Sequence, residues 1–209
     1  MVRQLTASLD LLTRALPLLL IFALVLFVNT EMWQVFGEVP DGFLAAIFAM
    51  FVALGVVFLA GRLPREVRAL EREAGAGGPP LESRQRRNVA LVLFISQALQ
   101  VLVVALSVGA FFALFGAFAV TAGVQETWLG RAPDELASVD LLGGTALVTA
   151  ELLRVAGGIA AFSGLYYAIA VLTDSTYREE FLEELTGEMR ATFAARTRYL
   201  SLRAGAPPA

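Results

Sequence analysis

The sequence predicts an all-α fold class: a polytopic membrane helix bundle with four transmembrane helices and a cytoplasmic C-terminal helix. Hydrophobic residues make up 57% of the 209 residues and the mean hydropathy is +0.70, whereas soluble domains are about 45–50% apolar. These residues are gathered in long runs with few charges, which is the pattern of membrane-spanning helices. The distribution of arginine is a third observation, and it predicts the orientation of the spans.

Residues 1–174 are predicted to form the transmembrane domain. Each apolar run is long enough to cross a hydrocarbon core about 30 Å thick at about 1.5 Å per residue. The predicted spans are 15–36, 43–61, 89–120 and 145–172. The charged segment 175–203 is predicted to be a cytoplasmic amphipathic helix, because its acidic residues come first and its arginines last, as a helix dipole favours. Residues 204–209 are expected to be a disordered tail.

Two further features of the spans and loops predict local structure. The small residues Ala105, Gly109, Ala113 and Ala117 form a stripe along the third span, against which we expect another helix to pack closely. Between the third and fourth spans, residues 133–140 begin with a proline and carry acidic residues, which favours one short surface helix.

Arginine counting predicts the orientation. All 16 basic residues are arginine. If both termini are cytoplasmic, fourteen of them lie on the inner side, Arg131 lies in an outer loop and Arg154 lies within the membrane. This bias follows the positive-inside rule and predicts a multi-pass protein of the cell membrane with both termini cytoplasmic.

The residue inventory argues against an enzyme. The chain has no cysteine and no histidine, so thiol chemistry, thiolate metal sites and imidazole acid–base catalysis are excluded. Phosphate-binding glycine loops, dinucleotide-binding fingerprints and zinc-protease motifs are also missing from the sequence. The sequence therefore predicts no catalytic residue, no metal site, no cofactor and no nucleic-acid partner.

The strongest candidate site is an intramembrane polar cluster of Glu31, Glu151 and Arg154. Glu151 and Arg154 are three residues apart, so they share one helix face and can form an ion pair. Charged residues within a membrane usually face the bundle interior, and Glu31 on the first span is expected at a similar depth. Interhelical attachment, an arginine that extends to the membrane surface, and a proton or ion site all remain open interpretations.

Secondary polar positions are predicted on three spans. They are Asn29, Gln97, Gln100 and Tyr166, which can form hydrogen bonds between helices or line a polar pathway. The basic loop between the second and third spans adds Arg84, Arg86 and Arg87 as residues that can contact anionic lipid headgroups. Ordinary positive-inside topology explains the same arginines, and pairing with the acidic start of the C-terminal segment is a further alternative.

Four stretches of the chain carry a resemblance. They are Arg14-Ala-Leu-Pro-Leu-Leu-Leu20, Asn29-Thr-Glu-Met-Trp-Gln34, Gln85-Arg-Arg-Asn-Val-Ala-Leu91 and the segment from Tyr166 to Phe181. Together they resemble a group of uncharacterised actinobacterial integral membrane proteins, over most of the chain. The resemblance implies four spans and supplies no activity, substrate or site residue.

The sequence favours a non-enzymatic structural or assembly subunit of a membrane complex. The expected partners are the lipid bilayer with its anionic headgroups, and a second copy of the chain or another membrane protein. The alternative is a small ion or proton channel, or a transporter component, that uses Glu31, Glu151 and Arg154.

The arginine bias leads to a topology prediction. We expect Gly78 to be cytoplasmic and Arg131 to be external. Reporter enzymes that are active on only one side of the membrane, fused after each residue, measure this directly. A fusion at Gly78 that is active only outside the cell would reverse the predicted orientation.

Overall fold

The computed structural model describes residues 20–74, 81–141 and 143–173, with residues 195, 196, 198, 199 and 202 near the end of the chain. The start of the first predicted span, nearly all of the predicted helix 175–203 and the predicted tail 204–209 lie outside these residues. The chain divides into two compact units, one of residues up to 56 with 99–168, the other of residues 57–98 with those from 169 onward. Each unit is described by itself.

The described residues are mostly helical, as predicted. The helices are α1 (Leu20–Phe27), α2 (Thr30–Glu38), α3 (Asp41–Ala74), α4 (Ser83–Ala119), α5 (Ala122–Leu129) and α6 (Ala150–Thr173), and a two-stranded hairpin, β1 (Glu135–Leu141) and β2 (Gly144–Thr149), lies between α5 and α6. Helices α3, α4 and α6 are long and apolar enough to cross a membrane. The described residues therefore contain three candidate spans, or four if α1 and α2 together make one.

The first predicted span, 15–36, is broken in the middle. Helices α1 and α2 meet at an angle of 71°, and Asn29 between them is the N-cap of α2, where its side chain accepts a hydrogen bond from the Glu31 N–H at 2.7 Å. The indole Nε1 of Trp33 donates to the Phe27 carbonyl at 2.7 Å. A capping asparagine and a bonded terminal carbonyl satisfy the backbone groups that the break leaves without helical partners.

The remaining helices differ from the predicted spans mainly at their ends. Helix α3 runs on to Ala74 through Pro64, and α4 begins at Ser83 rather than at residue 89. The added part of each helix carries charged residues. Both helices therefore extend past the apolar stretches from which the spans were predicted. Helix α6 begins at Ala150, because residues 144–149 of the predicted span belong to strand β2.

The prediction of a short surface helix over residues 133–140 was wrong, because this segment forms most of β1. The strands pair antiparallel, with Val139 opposite Ala146 and Leu141 opposite Gly144. Gly143 adopts a φ of +81° in the connection, a left-handed conformation that glycine tolerates best. A glycine pair between two runs of alternating side chains is a hairpin signal, and here it outweighs the helix-starting proline.

Helices α4 and α6 approach closely in the first unit. A β-carbon built on Gly109 would lie 3.0 Å from Cβ of Ala160, and one built on Gly164 would lie 3.0 Å from Cβ of Ala105. Gly116 is tighter still, since its β-carbon would overlap the side chains of Leu152 and Phe27. The small residues of α4 thus admit α6, which is how helices associate where lipid removes the hydrophobic driving force.

The second unit has a small apolar core where the later part of α3 meets the earlier part of α4. Val67, Leu70 and Leu93 are buried there, with Leu63 and Ala90 packed against them. The three α3 residues, at 63, 67 and 70, are spaced by four and three and so share one helix face. This face holds the charged ends of the two helices together.

The close approach of α4 and α6 leads to a packing prediction. Gly109→Val should lower the thermal midpoint in detergent clearly, since overpacking a filled contact costs about 1–3 kcal/mol. Gly55→Val is the matched control, because a β-carbon at Gly55 meets nothing within 4 Å. Equal midpoints for the two variants would show that Gly109 does not face α6.

Candidate functional site

The candidate site lies in the first unit, at the start of α6. Glu151 is in the first turn of α6, where the helix dipole favours a carboxylate, and it is only 1% exposed. Its Oε1 lies 2.8 Å from Nη2 of Arg131, an ion pair whose angles are not those of a good hydrogen bond. Its Oε2 accepts a hydrogen bond from the backbone N–H of Asp134 at 3.0 Å. The buried charge is thus compensated by one guanidinium and one backbone donor.

Arg131 joins Glu151 to the end of helix α2. The same Nη2 atom donates to the Gly37 carbonyl at 3.4 Å, and Nη1 donates to the carbonyl of Ala132 at 3.0 Å. The carboxylate of Asp134 lies 3.8 Å from Nη1. The Arg131 side chain is 41% exposed and remains partly hydrated. The Glu151 carboxylate that it neutralises is shielded from water.

Arg154, one turn further along α6, fixes the corner between α2 and α3. Its Nη1 donates to the carbonyls of Gly37 and Val39, both at 3.2 Å. Its Nη2 pairs with the Asp41 carboxylate at 2.5 Å, and Asp41 is the first residue of α3. A guanidinium at the C-terminal end of one helix and a carboxylate at the N-terminal end of the next both suit the helix dipoles.

Gly37 is the point at which these contacts converge. Its carbonyl accepts from both Arg131 and Arg154. A β-carbon on Gly37 would lie 2.8 Å from Leu129 of α5 and 3.3 Å from Cγ of Glu151. Only a residue without a side chain lets the end of α2 sit this close to both α5 and α6.

The predicted Glu151–Arg154 pair is corrected by this geometry. Glu151 pairs with Arg131, and Arg154 pairs with Asp41. Arg154 is held away from Glu151 because its guanidinium also donates to the carbonyls at the end of α2. Glu31 does not join them: it is exposed in the first turn of α2, roughly 10 Å along the helix from its far end. Arg131 was not predicted as the partner of Glu151. Its position as the single arginine in an otherwise acidic loop was a signal that it pairs with a carboxylate.

A buried polar network supports the start of α6. Thr149 accepts a hydrogen bond from the Leu152 N–H at 3.1 Å and so caps the helix, while its hydroxyl donates to Oε1 of Gln125 at 2.7 Å. The Gln125 Nε2 donates to the Val120 carbonyl at 3.2 Å. Gln125 and Thr149 are both fully buried. The network ties α5 and the end of α4 to the first turn of α6.

The secondary polar positions have separate roles. Asn29 caps α2, Gln100 is half-buried on α4, and Tyr166 on α6 is 44% exposed. Gln97, in the second unit, donates from Nε2 to the carboxylate of Glu66 at 2.7 Å, and both side chains are buried. Glu66, which the sequence analysis did not single out, is therefore the partner of Gln97.

The three arginines at the start of α4 also differ from one another. All three are exposed, but only Arg86 pairs with a carboxylate of the described residues, that of Glu71 at 3.1 Å. Glu71 lies beyond the apolar stretch 43–61 and also accepts the Leu81 N–H at 2.7 Å. The Leu81 hydrogen bond, and after it the Arg86 guanidinium, outweigh partial burial and hold the pKa of Glu71 below its ordinary value.

The contacts around Glu151 join the ends of several helices. Within the part of the chain that the structure describes, no group of three or more acidic side chains is placed to hold a metal ion. Glu151, Asp41 and the two arginines are all bound to one another or to backbone carbonyls.

No family model, curated protein or solved structure matches the chain. The function is therefore inferred from the contacts of the described residues. The resemblance to the actinobacterial group stays a prediction.

The Glu151–Arg131 pair leads to an asymmetric prediction. Arg131→Gln should destabilise strongly, by about 3–5 kcal/mol, because it leaves a buried carboxylate without an opposite charge and with only the Asp134 N–H as a donor. Glu151→Gln should cost less, since the exposed Arg131 can be hydrated. The double variant should recover much of the Arg131→Gln loss.

Thermal midpoints in detergent of the singles and the double give the coupling between the two residues. A second cycle, with Arg154→Gln, Glu151→Gln and the double variant, serves as the comparison. The coupling between Glu151 and Arg154 should be smaller than that between Glu151 and Arg131. A larger coupling of Glu151 to Arg154 than to Arg131 would contradict the arrangement described above.

Proposed function

We propose that this chain is a non-enzymatic structural or assembly subunit of a membrane complex, and that its β1–β2 hairpin docks onto a partner membrane protein. We further propose four spans with both termini cytoplasmic, in which the bent α1–α2 pair is the first span. The arginine bias and the apolar character of that pair support this topology. The single observation that carries the docking role is the apolar outward face of the hairpin.

The two faces of the hairpin have opposite chemistry. Paired residues of antiparallel strands lie on the same face, and alternate residues on opposite faces. One face carries the buried Leu147 and Thr149 of β2, so it is the face that lies against the protein. The other face carries only apolar residues, namely Ala137, Val139 and Leu141 of β1 with Gly144, Ala146 and Val148 of β2. Val139 and Leu141 are 60% and 51% exposed.

A partner protein suits this face better than lipid does. Within the described residues the sheet has two strands, so each strand has one edge without a strand beside it. Backbone edges that are not paired do not occur in the hydrocarbon region, because their polar groups would lack partners. Exposed carboxylates at Glu135 and Asp140 also disfavour contact with an anionic membrane surface. An apolar protein surface can cover the face and leave the edges to water or to a partner strand.

The buried ion pair holds this hairpin at its base. Asp134 immediately precedes β1, and its N–H donates to Glu151 while its carbonyl accepts the Ala150 N–H at 2.9 Å. Thr149, the last residue of β2, is bonded to Gln125. Isolated two-stranded hairpins are marginal in water, so these contacts at the base give the docking face a fixed position.

A transporter that uses the cluster is the second candidate, and the contacts favour it less. Glu151, Arg131, Arg154 and Asp41 all have protein partners, whereas a transported ion needs groups that it can engage and leave. Purified protein in liposomes should therefore show no more proton or cation flux than empty liposomes. Flux that Glu151→Gln abolishes without lowering the thermal midpoint would establish the transporter instead.

The hairpin leads to a cross-linking prediction. A photo-reactive amino acid at position 139 should give a discrete cross-link to another membrane protein in native membranes, identified by mass spectrometry. The same amino acid at position 124 is the control, because Val124 is exposed on α5 and lies outside the hairpin. Val139→Asp should reduce the size of the complex on a native gel, and Val124→Asp should not.

The outcomes separate the alternatives. A product of twice the chain mass at position 139 would identify a second copy as the partner. Adducts with lipid alone would contradict the docking role. If Val139→Asp lowers the thermal midpoint, Val139→Thr replaces it in the native-gel experiment. Threonine reduces the apolar surface and favours strands.

A further inference from the structure

A groove in the second unit lies between the charged ends of α3 and α4. It encloses about 570 Å³, which is within the range of about 300–1,000 Å³ that small-ligand sites occupy. The groove is independent of the hairpin, and every residue that lines it belongs to residues 60–90. Its lining divides into an apolar part and a cationic part.

The apolar part comes from both helices. Leu63 and Val67 of α3 and Ala90 of α4 line the groove, and they continue into the small core of this unit. Pro64 lines it as well and has no N–H to donate to the carbonyl of Ala60, which is also a lining residue. A proline inside a helix removes one hydrogen bond of the regular ladder at this point.

The cationic part consists of three guanidinium groups. Arg68 of α3 and Arg86 and Arg87 of α4 line the groove, and none of the carboxylates that the structure describes does so. Arg86 is held by Glu71 at 3.1 Å, and Arg68 uses its Nε on the Pro64 carbonyl at 2.8 Å. Arg87 has no hydrogen bond or ion pair with any residue that the structure describes. The lining residues that the structure describes therefore give the groove a net positive charge beside its apolar part.

The position of the groove along α3 matches the boundary of a membrane. The apolar stretch of α3 ends at about residue 61, roughly 20 residues or 30 Å after its start at Asp41, which is the thickness of a hydrocarbon core. Arg62, the first charged residue after it, lies 5.7 Å from the ring centre of Phe58. The guanidinium groups of the groove thus follow directly after the apolar stretch, at the level of lipid headgroups.

We propose that this groove binds one anionic phospholipid. The phosphate is held by Arg68 and Arg87, with Arg86 oriented beside them by Glu71, since guanidinium groups bind phosphate oxygens in pairs. An acyl chain lies against Leu63, Val67 and Ala90. A free phosphate would leave this apolar surface uncovered, and a zwitterionic lipid would leave the charge uncompensated. Arg84 does not line the groove, so Arg68 takes the place that the sequence analysis gave to Arg84.

Lipid binding to the purified full chain tests the proposal. The protein is stripped of lipid in detergent and titrated with phosphatidylglycerol, phosphatidylcholine or inorganic phosphate, and bound lipid is counted by native mass spectrometry. One phosphatidylglycerol should bind with at least tenfold preference over phosphatidylcholine. Arg68→Gln combined with Arg87→Gln should weaken it by about 30-fold, because each arginine near an anionic lipid contributes a factor of about five.

Arg72→Gln combined with Arg84→Gln is the matched control, because both arginines are exposed, neither lines the groove and the change in net charge is the same. This variant should bind the lipid nearly as well as the unchanged protein. Equal weakening by the two double variants would show a diffuse charge effect and overturn the proposal. Full competition by inorganic phosphate at equal concentration would also overturn it, because the apolar part of the groove would then contribute nothing.

Discussion

The need to compensate one buried carboxylate organises the first unit. Glu151 has almost no contact with solvent, and a charge in that position requires an opposite charge and hydrogen-bond donors close by. Arg131 and the Asp134 N–H supply them, and both lie in the segment that leads into the hairpin. The carboxylate therefore draws the hairpin base onto α6. Since Arg131 also reaches the Gly37 carbonyl, the same interaction fixes the end of α2.

The two units use arginine in different ways. In the first unit, Arg131 and Arg154 are directed at carboxylates and helix-terminal carbonyls of the protein itself. In the second unit, Arg86 is the one arginine of the groove that pairs with a carboxylate of the described residues. Internal partners hold helices together, whereas guanidinium groups beside an apolar groove are available to a ligand. The same side chain thus stabilises the first unit and, in the proposed lipid groove of the second, provides the groups that bind phosphate.

The sequence predicted those features that depend on composition and local spacing. Long apolar runs gave the helices, and the small-residue stripe of α4 identified Gly109 as a point of close contact, which the approach of Ala160 bears out. The partner of Glu151 was missed because local spacing ranked Arg154 first, whereas Arg131 is 20 residues away in the sequence and comes close to Glu151 where the hairpin base joins Asp134 to Ala150. The break at Asn29 was missed because the surrounding apolar run concealed a capping residue. Both failures come from contacts that periodicity does not report.

The distance along the chain between Gly37 and its arginine partners sets an order of events during synthesis. Arg131 and Arg154 are 94 and 117 residues further on. Ribosomes add about 5–20 residues per second, so roughly 6–23 s separate the synthesis of Gly37 from that of Arg154. The Gly37 carbonyl has neither guanidinium partner until Arg131 is made, after roughly 5–19 s, and Arg154 becomes available only at the end of the interval. The corner between α2 and α3 is therefore completed late, because the first helices of the nascent chain are made before the contacts that fix them exist.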